Sequence, residues 1–276
     1  MSHHLRPGDL DEDRMERSRR VGWIDVDRLG QSKVLVIGAG ALGNEVVKDL
    51  VLSGIGDVTV VDMDRVVPSN LNRCLFFREE DARTRSFKAE ALAERAGQMA
   101  SSSRVKAIVS KVQELDEGEL QGADVTLGCL DNIAARLHVN AHCCHLGRPL
   151  VDGGTLSTSG KVQVVLPPRS PCLQCSMNRT HYRTLEKRYS CTGSDTVFFE
   201  PKLAAEITTT SVIAAIQVRE AVKILSRQEG RCLRHLLHYN GLTNQVQELE
   251  VPLDPDCRLH DGHCTEQGQS PDYHVG

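Results

Sequence analysis

The chain has 276 residues, a formal net charge of −4, and 40% hydrophobic against 25% charged residues. That length suits one large α/β domain with a core of its own, and the acidic balance gives no nucleic-acid footprint. No stretch approaches the ~20 apolar residues of a membrane span, and the opening MSHHLRPGDLDEDRMERSRR lacks the apolar core of a signal peptide. A cytoplasmic protein with no membrane attachment is therefore expected, and its ten cysteines read as reduced thiols, metal ligands or a nucleophile rather than as a disulfide framework.

In chain order, residues 1–12 are polar and expected to be poorly ordered. A domain expected to run from 13 to 264 opens with the run VLVIGAGALGNEVVKDLVLSGIGDVTVVDMD. Residues 34–37 read as a buried strand and Gly38, Gly40 and Gly43 form G-x-G-x-x-G. Residues 44–51 continue at helical spacing, and 58–61 form the next strand. This is a phosphate-binding β-α-β unit: the glycines permit a tight turn and close backbone approach, and the helix start contributes unpaired N–H groups. Alone it does not choose between NAD, FAD and ATP. Asp62, with Asp64 beside it in D-M-D, lies about twenty residues after the glycines, where a carboxylate can take ribose hydroxyls. A polar helical region follows at 86–100, a strand at 105–110, and the strand ADVTLGCLDN. A helix at 133–146 and a strand at 149–152 complete the second half. The alternation predicts a Rossmann-like, doubly wound, mostly parallel sheet. After Gly154, GKVQVVLP and RCLRHLLHYNGLTNQVQELEVPL read as strands of an antiparallel or mixed extension, separated by a helix at 211–225, with a polar tail at 265–276.

The residues after D-M-D bear on the ligand. SNLNR supplies Asn70 and Arg73, and RSFKAEA supplies Lys88. Several cations near one nucleotide suit a transferase whose transition state spreads charge over phosphoryl oxygens better than they suit hydride transfer. Singly, each is equally a solvated surface charge. In combination, GAGALG, D-M-D, SNLNR, R-x-x-K and LDNIAARLHVN resemble the adenylation domain of the ubiquitin-activating enzyme family, shared with bacterial sulfur-carrier adenylyltransferases of thiamine and molybdopterin synthesis. The resemblance covers roughly residues 14–264. It implies an ATP-binding Rossmann-like domain forming a homodimer or pseudo-dimer. It also implies attack on ATP by the C-terminal glycine carboxylate of a small ubiquitin-like protein, giving an acyl-adenylate and pyrophosphate.

Carried over by position, the resemblance makes Gly38, Gly40 and Gly43 the phosphate turn and Asp62 the ribose ligand. Asn70, Arg73 and Lys88 become phosphate contacts, and Asp131 the holder of Mg²⁺, a role that suits a hard carboxylate. Asn132 adjoins it, and either residue can also cap the following helix. Arg14 and Arg17 in RMERSRR stand where family members carry an arginine that reaches the partner subunit's ATP site; a basic solvated helix face is the other reading.

The cysteines form two systems. Cys172 and Cys175 make C-x2-C, and Cys257 and His260 repeat that spacing, together fitting a closed tetrahedral Zn²⁺ site. Cys264 remains an alternative fourth ligand, and redox CxxC chemistry lacks a thioredoxin-like context. Cys74, Cys129, Cys143 and Cys144 lie in apolar segments and read as small core residues. Cys191 lies in EKRYSCTGSD, near Lys187 and Arg188, which favour a thiolate. The resemblance places it on a crossover loop, around 176–210, whose cysteine takes the activated carrier as a thioester. The sequence offers no long insertion for a separate catalytic-cysteine domain and no C-terminal ubiquitin-fold domain is expected, so recruitment of a ubiquitin-conjugating-type enzyme would differ from the eukaryotic arrangement or not occur.

Thioester-forming activation through Cys191 is thus the expected activity. Its rivals are a sulfur-carrier adenylyltransferase that stops at the acyl-adenylate and a non-catalytic nucleotide-binding partner subunit. Intact Arg73, Lys88 and Asp131 argue against the latter. An NAD-dependent dehydrogenase is disfavoured by the lack of a recognisable second catalytic domain.

Overall fold

The structure, a computed structural model, describes residues 14–177 and 206–260. Its centre is an eight-stranded sheet: β1 (Lys33–Ile37), β2 (Asp57–Val61), β3 (Arg104–Ile108), β4 (Val125–Gly128), β5 (Leu150–Leu156), β6 (Ser159–Val165), β7 (Leu236–Asn240) and β8 (Gln245–Leu249), in the order β3-β2-β1-β4-β5-β6-β7-β8. The pairs from β3 to β5 are parallel, and those from β5 to β8 are antiparallel. The expected doubly wound sheet with an antiparallel extension is present. The long polar-apolar stretch after the last helix folds as a hairpin, β7 and β8, turning through Asn244, whose φ is +52°.

The helices are α1 (Glu16–Arg19), α2 (Val26–Gln31), α3 (Ala41–Leu52), α4 (Glu79–Thr84), α5 (Lys88–Gly97), α6 (Glu117–Gly122), α7 (Ile133–His145) and α8 (Ile207–Leu225). The four short ones, of four to six residues, carry no readable period in the sequence, and local capping holds two of them. Asp25 accepts from the Arg28 N–H to start α2, and Asp116 accepts from Gly118 to start α6. Among the described residues, no helix is long and apolar enough to cross a membrane.

Strand alternation divides the core into two layers. Val34, Val36, Val58 and Val60 face α3, α5 and α8 in one cluster. Leu35, Ile37 and Val61 face α6 and α7 in the other. With side chains alternating along each strand, both sheet faces are apolar and each needs its own helical cover. α8 lies along α3 and beneath β5 and β6, burying Ile213, Ala214, Val218 and Ala221. One buried ion pair ties the second layer to the sheet: Arg136 of α7 donates through Nε and one terminal nitrogen to the two oxygens of Asp152 on β5. Such a pair is costly to break, because the remaining charge would be buried alone.

Candidate nucleotide and metal sites

The first candidate site lies at the carboxyl ends of β1, β2 and β4. Gly38 has φ +106°, and a Cβ there would lie 2.5 Å from the Cys129 carbonyl oxygen; a Cβ on Gly43 would run into the Gly38 carbonyl. Only glycines let α3 start so close to β1 while the turn rests against the end of β4. Gly40 differs, since a Cβ there would meet nothing within 4 Å. It is the N-cap residue of α3 and supplies no side-chain cap, which leaves first-turn N–H groups without a capping side chain, the feature an anion site at a helix start uses. Asn44, not singled out in the sequence, fastens the turn: its Nδ2 donates to the Ala39 and Gly40 carbonyls, and its Oδ1 accepts from the Phe76 N–H. It thereby binds the SNLNR loop to the glycine turn.

Asp62 follows β2 and also belongs to this turn. Its two oxygens accept from the Ala39 N–H and the Asp64 N–H, each at 2.7 Å. Burial raises its pKa, opposed by Lys88 and by those two N–H groups. A half-buried carboxylate of this kind retains lone pairs for further donors, such as sugar hydroxyls. Lys88, at the start of α5, donates to Asp64 Oδ2 at 2.8 Å, and its backbone N–H donates to the Asp64 carbonyl. The structure therefore brings Asp62, Asp64 and Lys88 to the glycine turn. Arg73 is partly exposed and donates to the Ser69 carbonyl and to Asn72 Oδ1, at neither of which it meets a carboxylate. Asn70 is buried and shapes the loop by accepting from the Val67 N–H. Between these groups Cys74 is buried, which pushes its thiol up to about 11 despite nearby Arg73 and Lys88.

Asp131 is exposed just beyond β4, two residues after the carbonyl on which Gly38 rests. Asn132 caps α7, accepting from the Ala134 and Ala135 N–H groups, so the capping role belongs to Asn132 and leaves the carboxylate of Asp131 at the sheet end. Arg14 and Arg17 are not brought to this site. Arg14 donates to the Met99 carbonyl beyond the end of α5, and the neighbouring Met15 lies against Gly54 beyond the end of α3. Both contacts are at the opposite end of the strands, and Arg17 lies in α1 next to them.

The second site joins Cys172, Cys175, Cys257 and His260, whose candidate ligand atoms all lie within 4.8 Å of one another. Cys172 Sγ is 3.8 Å from Cys175 Sγ and 3.7 Å from Cys257 Sγ, and His260 Nε2 is 3.2 Å from Cys175 Sγ. A tetrahedron with Zn–S of about 2.3 Å has edges of about 3.8 Å, so the donor set and spacing fit Zn²⁺. Cys144 stands beside the cluster, and its thiol next to Cys172 favours the Cys172 thiolate. Asn140 supports the knuckle by accepting from the Leu173 N–H. Cys74, Cys129 and Cys143 are buried, as expected; burial pushes the Cys143 thiol up to about 12. Cys191, Lys187, Arg188 and the alternative ligand Cys264 lie outside the described residues.

A sequence model of the ThiF family matches residues 13–259. A Saccharomyces cerevisiae protein called ubiquitin-activating enzyme E1-like is 31% identical over 163 residues, 58% of this chain and 25% of that protein. The NEDD8-activating enzyme E1 catalytic subunit of Dictyostelium discoideum is 36% identical over 159 residues, 53% of this chain and 36% of its own length. The chain thus spans only about a quarter to a third of these relatives. In fold, the chain is similar to E. coli MccB crystallised with ATP, with a TM-score of 0.72 at 21% identity over 92% of this chain and 76% of that one.

Metal binding at the cysteine cluster is directly measurable. Because a closed thiolate site contributes folding free energy, Cys257→Ser should lower both metal content and melting temperature. The wild-type chain, purified without chelator, is expected to carry one equivalent of zinc by elemental analysis. A metal-free chain that does not take up zinc would contradict the assignment. Zinc retained in His260→Ala but lost in Cys264→Ala would move the fourth ligand to Cys264.

Proposed function

Because the chain belongs to the ThiF family, we propose that it is an ATP-dependent activating enzyme that adenylates the C-terminal glycine of a small ubiquitin-like protein. The observation that carries this reading is the turn itself. It has an open helix start at Gly40, with the acidic and cationic groups Asp62, Asp64 and Lys88 hydrogen-bonded into one network beside it. Relatives named as activating enzymes for ubiquitin and NEDD8 support the substrate class.

In the proposed reaction, ATP lies over the glycine turn with its ribose on Asp62 and its phosphates toward the N–H groups of α3, Asn70, Arg73 and Lys88. Asp131 would hold Mg²⁺, which supplies charge neutralisation at the phosphates. A carboxylate oxygen of the carrier's terminal glycine attacks the α-phosphorus. The bond between the α-phosphorus and the bridging oxygen breaks, and pyrophosphate leaves. As charge moves to the pyrophosphate, Arg73 and Lys88 stabilise it, Lys88 exchanging Asp64 for a phosphate oxygen. In the second step, the Cys191 thiolate attacks the acyl carbon, AMP leaves and a thioester forms, ready for a ubiquitin-conjugating-type enzyme.

Two further parts belong to the same reading. The cluster at Cys172 holds structural Zn²⁺ and anchors both ends of the segment that carries Cys191 and α8. Arg14 and Arg17, at the far end of the strands from their own glycine turn, can serve a nucleotide only in a second copy, which makes a homodimer the working form. The rival reading, adenylation of a sulfur carrier that stops at the acyl-adenylate, shares every part except the role of Cys191.

Mg²⁺ with ATP should raise the melting temperature, and NAD should not. Gly40→Ala should leave the melting temperature of the free chain unchanged while abolishing most of the ATP-dependent shift, because the added methyl has room in the empty turn but stands where a phosphate must approach. Equal stabilisation by NAD, or a full ATP shift in Gly40→Ala, would contradict the site. The two enzymatic readings separate on a gel. With ATP, Mg²⁺ and a small ubiquitin-like protein ending in glycine, the wild-type chain should form a thiol-sensitive adduct one carrier heavier, absent in Cys191→Ala. An adduct that persists in Cys191→Ala would transfer the acceptor role to another cysteine, and absence of the band in both chains would favour the sulfur-carrier reading.

A further inference from the structure

On α8, 89 residues after the end of β4, Gln217 is fully buried, and its Nε2 donates to both the Gly128 and Val151 carbonyls at 3.0 Å. We infer that Gln217 is a positioning residue for the nucleotide site, holding the end of β4 against β5 so that Asp131 meets the metal and phosphates; this rests on the activation reading above. The path is short. Gly128 is the last residue of β4 and pairs with Asp152 of β5. The next residue, Cys129, presents the carbonyl against which Gly38 turns, and Asp131 follows two positions later. One amide group on α8 thus ties the last residue of β4, a single residue from the floor of the glycine turn, to the neighbouring strand β5.

Packing alone does not call for an amide here. The Oε1 of Gln217 is buried with no hydrogen-bond partner among the described residues, a penalty that an apolar side chain of the same shape would not carry. The strand opposite has also lost its side chain to make room, since a Cβ on Gly153 would collide with the Gln217 amide. A donor that joins the carbonyl at the end of β4 to one on β5, at the cost of its own acceptor, is what geometric control of that strand end requires. α8 is also the element that follows the segment carrying Cys191, so the amide links that helix to the floor of the site.

Calorimetric titration of ATP, with and without Mg²⁺, into the full chain tests this. In the wild type, Mg²⁺ should tighten ATP binding, and Asp131→Ala should lose that gain. Gln217→Met, which keeps shape but removes the donors, should lose at least about fivefold of the Mg²⁺-dependent gain while ATP affinity in EDTA changes by less than about twofold. The double variant Gln217→Met/Asp131→Ala should bind no more weakly than Asp131→Ala, because the two residues act on one step. Gln217→Asn, whose amide is too short to span both carbonyls, should show the same pattern and serves if the Met variant does not fold. Wild-type Mg²⁺ dependence in either variant, or losses that are equal with and without Mg²⁺ and additive with Asp131→Ala, would overturn the inference and leave Gln217 a packing residue. A wild-type chain that binds no ATP at all would overturn the activation reading and this inference together.

Discussion

The carboxyl end of the sheet depends on two missing side chains. At Gly38 a Cβ would lie 2.5 Å from the Cys129 carbonyl oxygen, and at Gly43 it would run into the Gly38 carbonyl. Their absence lets β1, the start of α3 and the end of β4 approach within backbone contact, and everything proposed for the site follows from that approach. It brings the N–H of Ala39 onto Asp62 and leaves the start of α3 without a side-chain cap, while Asp131 follows two residues after the carbonyl on which Gly38 rests. A helix start so exposed favours negative charge by its unpaired N–H groups and its dipole.

Around this turn, the charges divide into those locked in place and those available to a ligand. Arg136 with Asp152, and Arg95 with Asp81, are buried or half-buried pairs that fix geometry, the second also through the Phe76 carbonyl and the Arg78 N–H. Lys88 and Asp64 form a more exposed pair at the rim, with Asp64 open to solvent. The lysine itself is mostly buried, so the pair holds a cation in place beside the turn; in the proposed reaction a phosphate oxygen takes the place of Asp64. The Cys172 cluster brings together chain segments 85 residues apart through sulfur and nitrogen groups set against the second apolar layer.

Much of this was legible in the sequence because it rests on residues whose chemistry is local. Gly38, Gly40 and Gly43 announce the turn, Asp62 its carboxylate, and the equal spacing of Cys172, Cys175, Cys257 and His260 a tetrahedral site. The family match over residues 13–259 and the sheet order agree with the expected fold. What escaped notice depends on contacts between distant residues. Asn44 matters because it accepts from Phe76, 32 positions away, and Gln217 because it reaches carbonyls 66 and 89 positions away. Neither contact has a sequence period. The short helices α1, α2, α4 and α6 escaped for a related reason, being held by caps and neighbours rather than by an amphipathic stripe. In the sequence Arg73 and Lys88 are alike as cations, and the structure distinguishes them: Lys88 is paired with a carboxylate, and Arg73 with a carbonyl and an amide.

In the proposed reaction this turn directs cleavage of ATP between its α and β phosphates under attack by a carboxylate. Exchange of labelled pyrophosphate into ATP measures that step directly. With the chain, Mg²⁺ and a small ubiquitin-like protein ending in glycine, label should enter ATP only when the carrier retains its terminal glycine. Turnover of ATP to ADP and phosphate without exchange, or no exchange with any glycine-terminated carrier, would contradict it.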